Sequence, residues 1–196
     1  MKNRLLITFV KHPIAGQVKT RLAAGVGHEA AIAIYQKLLL QTRSAAQGGD
    51  WDVQIWYGNS VPEHDLWQET GWPRALQQGE DLGARMHFAM SKALEEGYEH
   101  VALIGSDLAE MDTLLLEDAF EKLEEYDTIL GPSADGGFYL IGLKKAMPRL
   151  FLSKSWSHDQ VLEQAIEQIK KENCTLHLLP VCHDVDTQED LVYLNL

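Results

Sequence analysis

Short apolar runs alternate with amphipathic stretches from one end of the chain to the other. The apolar runs predict β-strands over Leu5–Val10, Asp52–Tyr57, Val101–Ile104, Thr128–Leu130, Phe138–Leu143 and Leu176–Val181. Apolar residues at helical spacing predict α-helices over 28–46, Asp81–Gly97, Thr113–Leu123 and Val161–Ile169. Such alternation is typical of an α/β protein, and we expect a three-layer α/β/α sandwich with a mainly parallel central sheet.

Other segments lack a regular hydrophobic pattern and contain residues typical of loops, turns and helix starts. Lys11–Gly27 is rich in glycine, proline and basic residues and is predicted to be a loop. Residues 58–80 show no regular pattern, because prolines and a glycine interrupt them. Capping-box spacing, which predicts the start of a helix, occurs at Ser157 with Gln160 and at Thr187 with Asp190.

Length and charge narrow the functions that are open to the chain. Its 196 residues suit a single domain over 1–196. The 17 basic and 29 acidic residues give a formal net charge of −12, which argues against a general nucleic-acid binder. The first 28 positions hold no acid but five basic residues, namely Lys2, Arg4, Lys11, Lys19 and Arg21. This asymmetry predicts a local anion site, with an ordinary solvated surface as the alternative.

The sequence also predicts a cytoplasmic location. The apolar run Leu5–Val10 is too short for the core of a signal peptide, and nothing approaches the length of a membrane span. Cys174 and Cys182 flank a predicted strand, in which they would lie roughly 26 Å apart. That distance is beyond disulfide reach, so reduced thiols are expected, and the spacing gives no zinc signal.

Ligands of open parallel sheets bind beyond the carboxyl ends of the strands, so the residues there are the candidates for chemistry. After the first strand, Gly16 allows close approach of the backbone, and Lys19 and Arg21 supply positive charge. The spacing is not that of a P-loop. The segment is therefore either a phosphate-binding loop or an ordinary basic surface loop.

Acidic residues follow three other predicted strands. Asp107 comes directly after Val101–Ile104, where a carboxylate can hold a hard cation such as Mg²⁺. Asp135 precedes two glycines, Gly136 and Gly137, in a stretch that is either a plain turn or a wall where the backbone approaches a ligand. Asp186 is a candidate second metal ligand with Asp184 as its rival, and the alternative for both is a helix start.

The motifs together resemble a family. They are Phe9–Leu22 (FVKHPIAGQVKTRL), Gly79–Met86 (GEDLGARM), Gly105–Asp107 (GSD), Gly131–Gly142 (GPSADGGFYLIG) and Asp184–Thr187 (DVDT). In this order they resemble the bacterial DUF2064 family over nearly the whole chain. That family is also described as glycosyltransferase-like, radical-SAM/selenodomain-associated transferases. It is similar to nucleotide-diphospho-sugar transferases of the GT-A fold and, more distantly, to guanylyltransferases that build cofactors.

The resemblance implies a metal-dependent glycosyltransferase that takes a nucleotide-sugar donor and a small-molecule acceptor. Mg²⁺ or Mn²⁺ would be held by Asp107 and Asp186, and Asp135 would be the acceptor-side ligand or base. The expected donor-binding residues are Lys11, Gly16, Lys19, Arg21, Gly136 and Gly137.

Two other functions stay open at this point. One is a nucleotidyltransferase that releases diphosphate from a nucleoside triphosphate, and the other is a non-catalytic nucleotide-binding module. The second draws on a departure from the family pattern, because Leu108–Ala109 stands where the family usually has Cys-Pro.

Overall fold

A seven-stranded sheet forms the centre of the computed structural model, which describes residues 3–152, 156 and 159–194. Its strands are β1 (Arg4–Val10), β2 (Asp52–Tyr57), β3 (Arg74–Leu76), β4 (His100–Ile104), β5 (Thr128–Pro132), β6 (Phe138–Leu143) and β7 (Leu176–Leu178). They lie in the order β3-β2-β1-β4-β6-β5-β7, and β6 runs antiparallel to both of its neighbours. The mainly parallel sheet is confirmed.

Helices cover both faces of this sheet. They are α1 (Thr20–Val26), α2 (His28–Gln47), α3 (Leu82–Glu95), α4 (Thr113–Glu125), α5 (Pro148–Phe151) and α6 (Val161–Lys171). The described residues also form 3₁₀ helices at Gln68–Thr70, between β2 and β3, and at Glu189–Tyr193, after β7.

The central strand β1 shows why the fold has three layers. Alternate residues of a strand point to opposite faces, and β1 is apolar on both. Leu6 packs in one buried cluster with residues of α2 and α4, such as Tyr35 and Phe120. Leu5 and Ile7 pack in a second cluster with residues of α3 and α6. The three-layer sandwich that the hydrophobic pattern predicts is therefore present.

Two strand predictions, Asp52–Tyr57 and Phe138–Leu143, agree with the structure at both ends. The prediction of a loop over Lys11–Gly27 is wrong in its second half, because Thr20–Val26 forms α1. This short helix is held by packing of Leu22 and Ala23 against α2 rather than by local propensity.

The C-terminal predictions also need correction. The strand predicted over Leu176–Val181 ends at Leu178, since Pro180 has no N–H to continue the ladder. The final helix is a 3₁₀ helix, and the Asp190 carboxylate accepts hydrogen bonds from the backbone of Asp186 and Thr187 just before it. In the other capping box, Gln160 occupies the N-cap of α6, and Ser157 lies outside the described residues.

The remaining sequence-based expectations concern thiols and membranes. Cys174 and Cys182 are both buried and free, as expected. In the part of the chain that the structure describes, no helix is long and apolar enough to cross a membrane. The cytoplasmic location stays a prediction.

Candidate functional site

A pocket of about 500 Å³ opens at the carboxyl ends of β1 and β4. Its walls contain basic, acidic and apolar side chains from several elements. The basic ones are Lys11, Lys19, Arg21 and Arg85; the acidic ones are Asp107, Asp184 and Asp186; the apolar ones include Phe9, Met86, Leu103 and Phe138. This is the edge of the sheet at which parallel α/β folds bind their ligands.

Lys19 lies at the centre of the charged wall. Its ammonium nitrogen donates to Asp107 Oδ2 at 3.0 Å and to Asp186 Oδ1 at 2.9 Å, and its side chain is only 6% exposed. Burial works to lower the pKa of Lys19, but the two carboxylates outweigh it and raise that pKa above its ordinary value. Lys19 is therefore charged, and it joins three segments that are far apart in sequence.

Asp186 is held by two cations of the same segment. Arg21, from the first turn of α1, donates to Asp186 Oδ2 at 2.8 Å, on the carboxylate whose other oxygen accepts from Lys19. Burial works to raise the pKa of Asp186, but Lys19 and Arg21 outweigh it and hold that pKa below its ordinary value. Asp186 is therefore ionised well into the acidic range. The Arg21 side chain itself is 76% exposed, so it can also reach a ligand from solvent.

Main-chain hydrogen bonds bring the two acidic segments together. The N–H of Val185 donates to the Asp107 carbonyl oxygen at 2.9 Å, and the N–H of Ala109 donates to the His183 carbonyl oxygen at 2.9 Å. Leu108 and Ala109, which stand where the resemblance leads us to expect Cys-Pro, are both buried in the core. The replacement thus packs inward and leaves the Asp107 carboxylate in the pocket wall.

Tyr35 of α2 ties the loop after β1 to the loop after β4. Its hydroxyl accepts from the backbone N–H of Lys11 at 2.9 Å and lies 3.1 Å from Ser106 Oγ. Sequence reasoning missed Tyr35 and Ser106, because a buried tyrosine at helical spacing looks like an ordinary core residue. Burial raises the pKa of Tyr35 and outweighs its hydrogen bonds to Ser106 and Lys11, which act to lower that pKa, so the phenol stays neutral.

Asp184 lies in the same wall with a different electrostatic balance. Ser133 Oγ donates to its carboxylate, yet burial and the nearby charge of Asp107 raise the pKa of Asp184 from 3.8 to about 7. An ionised Asp184 is therefore unfavourable in the folded protein.

A pH dependence of stability follows from this raised pKa. Between about pH 4 and 7 the folded state keeps a proton on Asp184 that the unfolded state has lost, so stability falls as the pH rises through this window. We expect Asp184→Asn to remove that decline. Between pH 4 and 8 the free energy of unfolding of wild type should fall by up to about 4 kcal/mol relative to that of the variant, at 1.4 kcal/mol per pKa unit.

Urea unfolding between pH 4 and 8 with a chelator present measures this difference. Asp50→Asn, the same substitution at an exposed position before β2, is the control and should follow wild type. If the free energies of unfolding of wild type and Asp184→Asn change in parallel with pH, the pKa of Asp184 is not raised.

The structure brings some of the predicted site residues together and leaves others apart. Lys11, Lys19, Arg21, Asp107 and Asp186 all line the pocket, whereas Gly16, Asp135, Gly136 and Gly137 do not. The Asp135 carboxylate is exposed and accepts from the Gly137 N–H at 2.9 Å, which is the geometry of a turn. Its charge nevertheless reaches Asp184.

The packing around Gly136 leaves no room for a larger side chain. Its φ is +91°, and a Cβ there would lie 2.1 Å from the carbonyl oxygen of Asp159. We expect Gly136→Ala to destabilise the fold by about 3 kcal/mol or more, because backbone strain and a clash with rigid backbone add together.

Gly97→Ala is the matched control, since its φ is +95° and a Cβ there would meet nothing within 4 Å. It should cost only about 1–2 kcal/mol of left-handed strain. Equal losses in urea unfolding for the two variants would remove the packing argument.

Comparison with known proteins places the chain in a family. The profile of "Uncharacterized protein conserved in bacteria (DUF2064)" matches residues 40–158. The chain belongs to the DUF2064 family. No curated protein matches this DUF2064 protein.

A solved structure similar to this DUF2064 protein has a transferase description. A protein of Desulfovibrio desulfuricans G20, provisionally described as a nucleotide-diphospho-sugar transferase, is 34% identical with a TM-score of 0.88. The match covers 97% of this chain and 85% of that one. It confirms the fold expected from the resemblance, that of the nucleotide-diphospho-sugar transferases.

More distant matches share the fold alone. The inositol-1-phosphate CTP transferase of T. maritima is 14% identical with a TM-score of 0.59, covering 98% of this chain and 94% of that one. A manganese complex of Rv0371c from Mycobacterium tuberculosis H37Rv is 13% identical with a TM-score of 0.57, covering 97% and 96%.

The donor atoms of this DUF2064 protein fit a hard divalent cation. Among residues 3–152, 156 and 159–194, no group of three or more His, Cys, Asp or Glu is arranged to hold a metal ion. Mg²⁺, however, often takes one or two carboxylates and completes its shell with water and substrate phosphates. One oxygen each of Asp107 and Asp186 already lies within 3.0 Å of the Lys19 nitrogen, so the pair can share a cation.

Proposed function

We propose that this DUF2064 protein is a metal-dependent glycosyltransferase that transfers a sugar from a nucleotide-sugar donor to a small-molecule acceptor. The observation that carries the proposal is the charged wall of the pocket. Asp107 and Asp186 converge there with Lys19 and Arg21, at the carboxyl edge of the sheet. The 34% identical Desulfovibrio protein, with its provisional description as a nucleotide-diphospho-sugar transferase, supports the same class of substrate.

The pocket walls are suited to both halves of such a donor. Lys11, Arg21 and Arg85 present positive charge to a diphosphate, and Arg21 has the planar fork that binds two phosphate oxygens at once. Apolar side chains, among them Met86 and Phe138, line the same space and can contact a base or a sugar face.

In the reaction we propose, the bond between the sugar carbon and the diphosphate oxygen breaks. A bond from the acceptor oxygen to that carbon forms, and the acceptor proton passes to a base. Negative charge develops on the departing nucleoside diphosphate, where Lys19 and Arg21 stabilise it most strongly. Mg²⁺ or Mn²⁺ on Asp107 and Asp186 would supply further positive charge to the diphosphate.

Asp135 remains the proposed acceptor-side ligand or base. Its carboxylate is exposed, and it lies on the turn that joins β5 to β6, the strand whose first residue lines the pocket. Gly16, Gly136 and Gly137 remain proposed donor contacts through their backbone.

A thermal-shift screen of nucleotides and nucleotide sugars, with and without Mn²⁺, tests the proposal. Binding stabilises the folded state by mass action, so a weak donor registers at high concentration. The hits are then incubated with candidate acceptors, and the phosphate product is identified. Nucleoside diphosphate supports glycosyl transfer. Inorganic diphosphate released from a triphosphate identifies a nucleotidyltransferase instead, and binding without turnover identifies a non-catalytic module.

A further inference from the structure

The position of Lys19 is unusual for a residue expected to bind phosphate. Its ammonium group does not extend into open solvent but lies between Asp107 and Asp186, 3.0 and 2.9 Å from one oxygen of each. Those two carboxylates are 42% and 33% exposed, while the lysine side chain is 6% exposed. The two oxygens that a shared cation would use are therefore already bound to an internal cation.

The loop holds the lysine in this position. Lys19 has φ 47° and ψ 42°, a left-handed conformation that is rare outside glycine, and it is the N-cap of α1. The preceding residue, Val18, is buried in the core and anchors the loop to it. Backbone strain of this kind persists only where the surroundings over-determine it.

A divalent cation and the Lys19 ammonium cannot both occupy the space between these carboxylates, because both are positive and use the same oxygen atoms. A free cation must therefore displace the lysine and leave it without a partner for its charge in a buried place. A cation that arrives with a diphosphate brings a replacement partner, since phosphate oxygens accept strong charge-assisted hydrogen bonds from lysine.

We propose that Lys19 acts as a built-in counter-ion that excludes free divalent cations, so that this site takes the metal only as its complex with a diphosphate. This inference rests on the proposed function for the identity of the ligand. It concerns the lysine itself, however, and can be tested with the metal alone.

Binding of Mn²⁺ alone to the full chain is measured by electron paramagnetic resonance or calorimetry, with no nucleotide present. Wild type should bind Mn²⁺ weakly, with a dissociation constant of about 1 mM or more. Lys19→Met keeps most of the side-chain volume and removes the charge, and it should bind Mn²⁺ at least about tenfold more tightly. Lys19→Arg keeps the charge and should behave as wild type.

Lys11→Met is the matched control, because Lys11 also lines the pocket and its charge also acts on Asp186. It should change the Mn²⁺ affinity by less than about threefold. If both methionine variants gain Mn²⁺ affinity equally, the gain comes from removing any positive charge near the pocket, and the proposal is overturned. Unchanged affinity in Lys19→Met would do the same, since the metal would then bind other oxygens without moving the lysine.

Wild type provides a test that needs no variant to fold. Micromolar binding of Mn²⁺ alone to wild type would overturn the counter-ion role. The nucleotide screen described above is independent of this result. If Lys19→Met gains Mn²⁺ affinity but no nucleotide binds with Mn²⁺ to wild type, the counter-ion role stands and the glycosyltransferase proposal fails.

Discussion

Asp107→Asn is expected to abolish metal-dependent binding of a nucleoside diphosphate while the protein stays folded. The substitution keeps the size of the side chain but removes the charge that a hard cation needs. The Asp107 side chain is 42% exposed, and its backbone carbonyl, not its side chain, accepts the hydrogen bond from Val185. The local structure should therefore survive the change. We expect the affinity gained on adding Mn²⁺ to fall at least about 100-fold, or 2.7 kcal/mol.

Calorimetry with the nucleotide, in the presence and absence of Mn²⁺, measures this loss. Asp50→Asn makes the same chemical change at an exposed position that precedes β2, at the edge of the sheet away from the pocket. It should retain the full effect of Mn²⁺. If Asp107→Asn retains it too, Asp107 has no part in metal binding.

Replacing the two cations of the basic segment is expected to weaken nucleoside diphosphate binding far more than nucleoside binding. Each charge-assisted hydrogen bond lost to a phosphate should cost about 1.5–3 kcal/mol. Arg21→Ala should show this cost with little loss of stability, because its side chain is 76% exposed. Lys19→Ala should also destabilise the fold, since it leaves Asp107 and Asp186 without their shared cation.

The comparison of ligands separates phosphate contacts from general effects. Added salt should weaken wild-type binding and affect the variants less. Arg21→Lys should recover only part of the affinity, because lysine lacks the planar fork. Lys37→Ala, at an exposed position on α2, is the control and should bind as wild type does. Equal affinity of the double alanine variant and wild type at low salt would end the hypothesis of a phosphate-binding loop.

The parts of the fold that the sequence predicts well are those in which local pattern and tertiary burial agree. The six residues of β2 and of β6 follow from largely apolar runs, the first of which is followed by Gly58, while the second is preceded by the turn signal Asp135–Gly137. The strand β3 has only three residues, none fully buried, so it leaves no hydrophobic pattern to read. The helix α1 was missed because its N-cap is Lys19 in a left-handed conformation, which no capping rule anticipates.

For the site, the sequence predicts which segments meet but not how their side chains pair. The rule that ligands bind beyond strand ends brings Lys19, Asp107 and Asp186 into one place, and all three line the pocket. That the lysine lies between the two carboxylates depends on loop geometry. No spacing rule reports this, since the paired residues are 88 and 167 positions apart. The turn at Asp135–Gly137 could not be distinguished from a ligand wall, because the same glycines serve both purposes.

The bond between Lys19 and Asp186 closes a loop of 167 residues, so an early and a late part of the chain must meet before the pocket is complete. During synthesis the Lys19 loop emerges long before Asp186, and most of the sheet can form in between. Once β7 is paired with β5 in the sheet, only the short segment after Leu178 remains to bring Asp186 to the Lys19 loop. We expect the segment after β7 to dock last and to open first, since its described part is loop and 3₁₀ helix. A ligand that contacts both the Lys19 loop and the segment after β7 should hold the two together. Its binding should therefore slow amide exchange in the residues that follow β7.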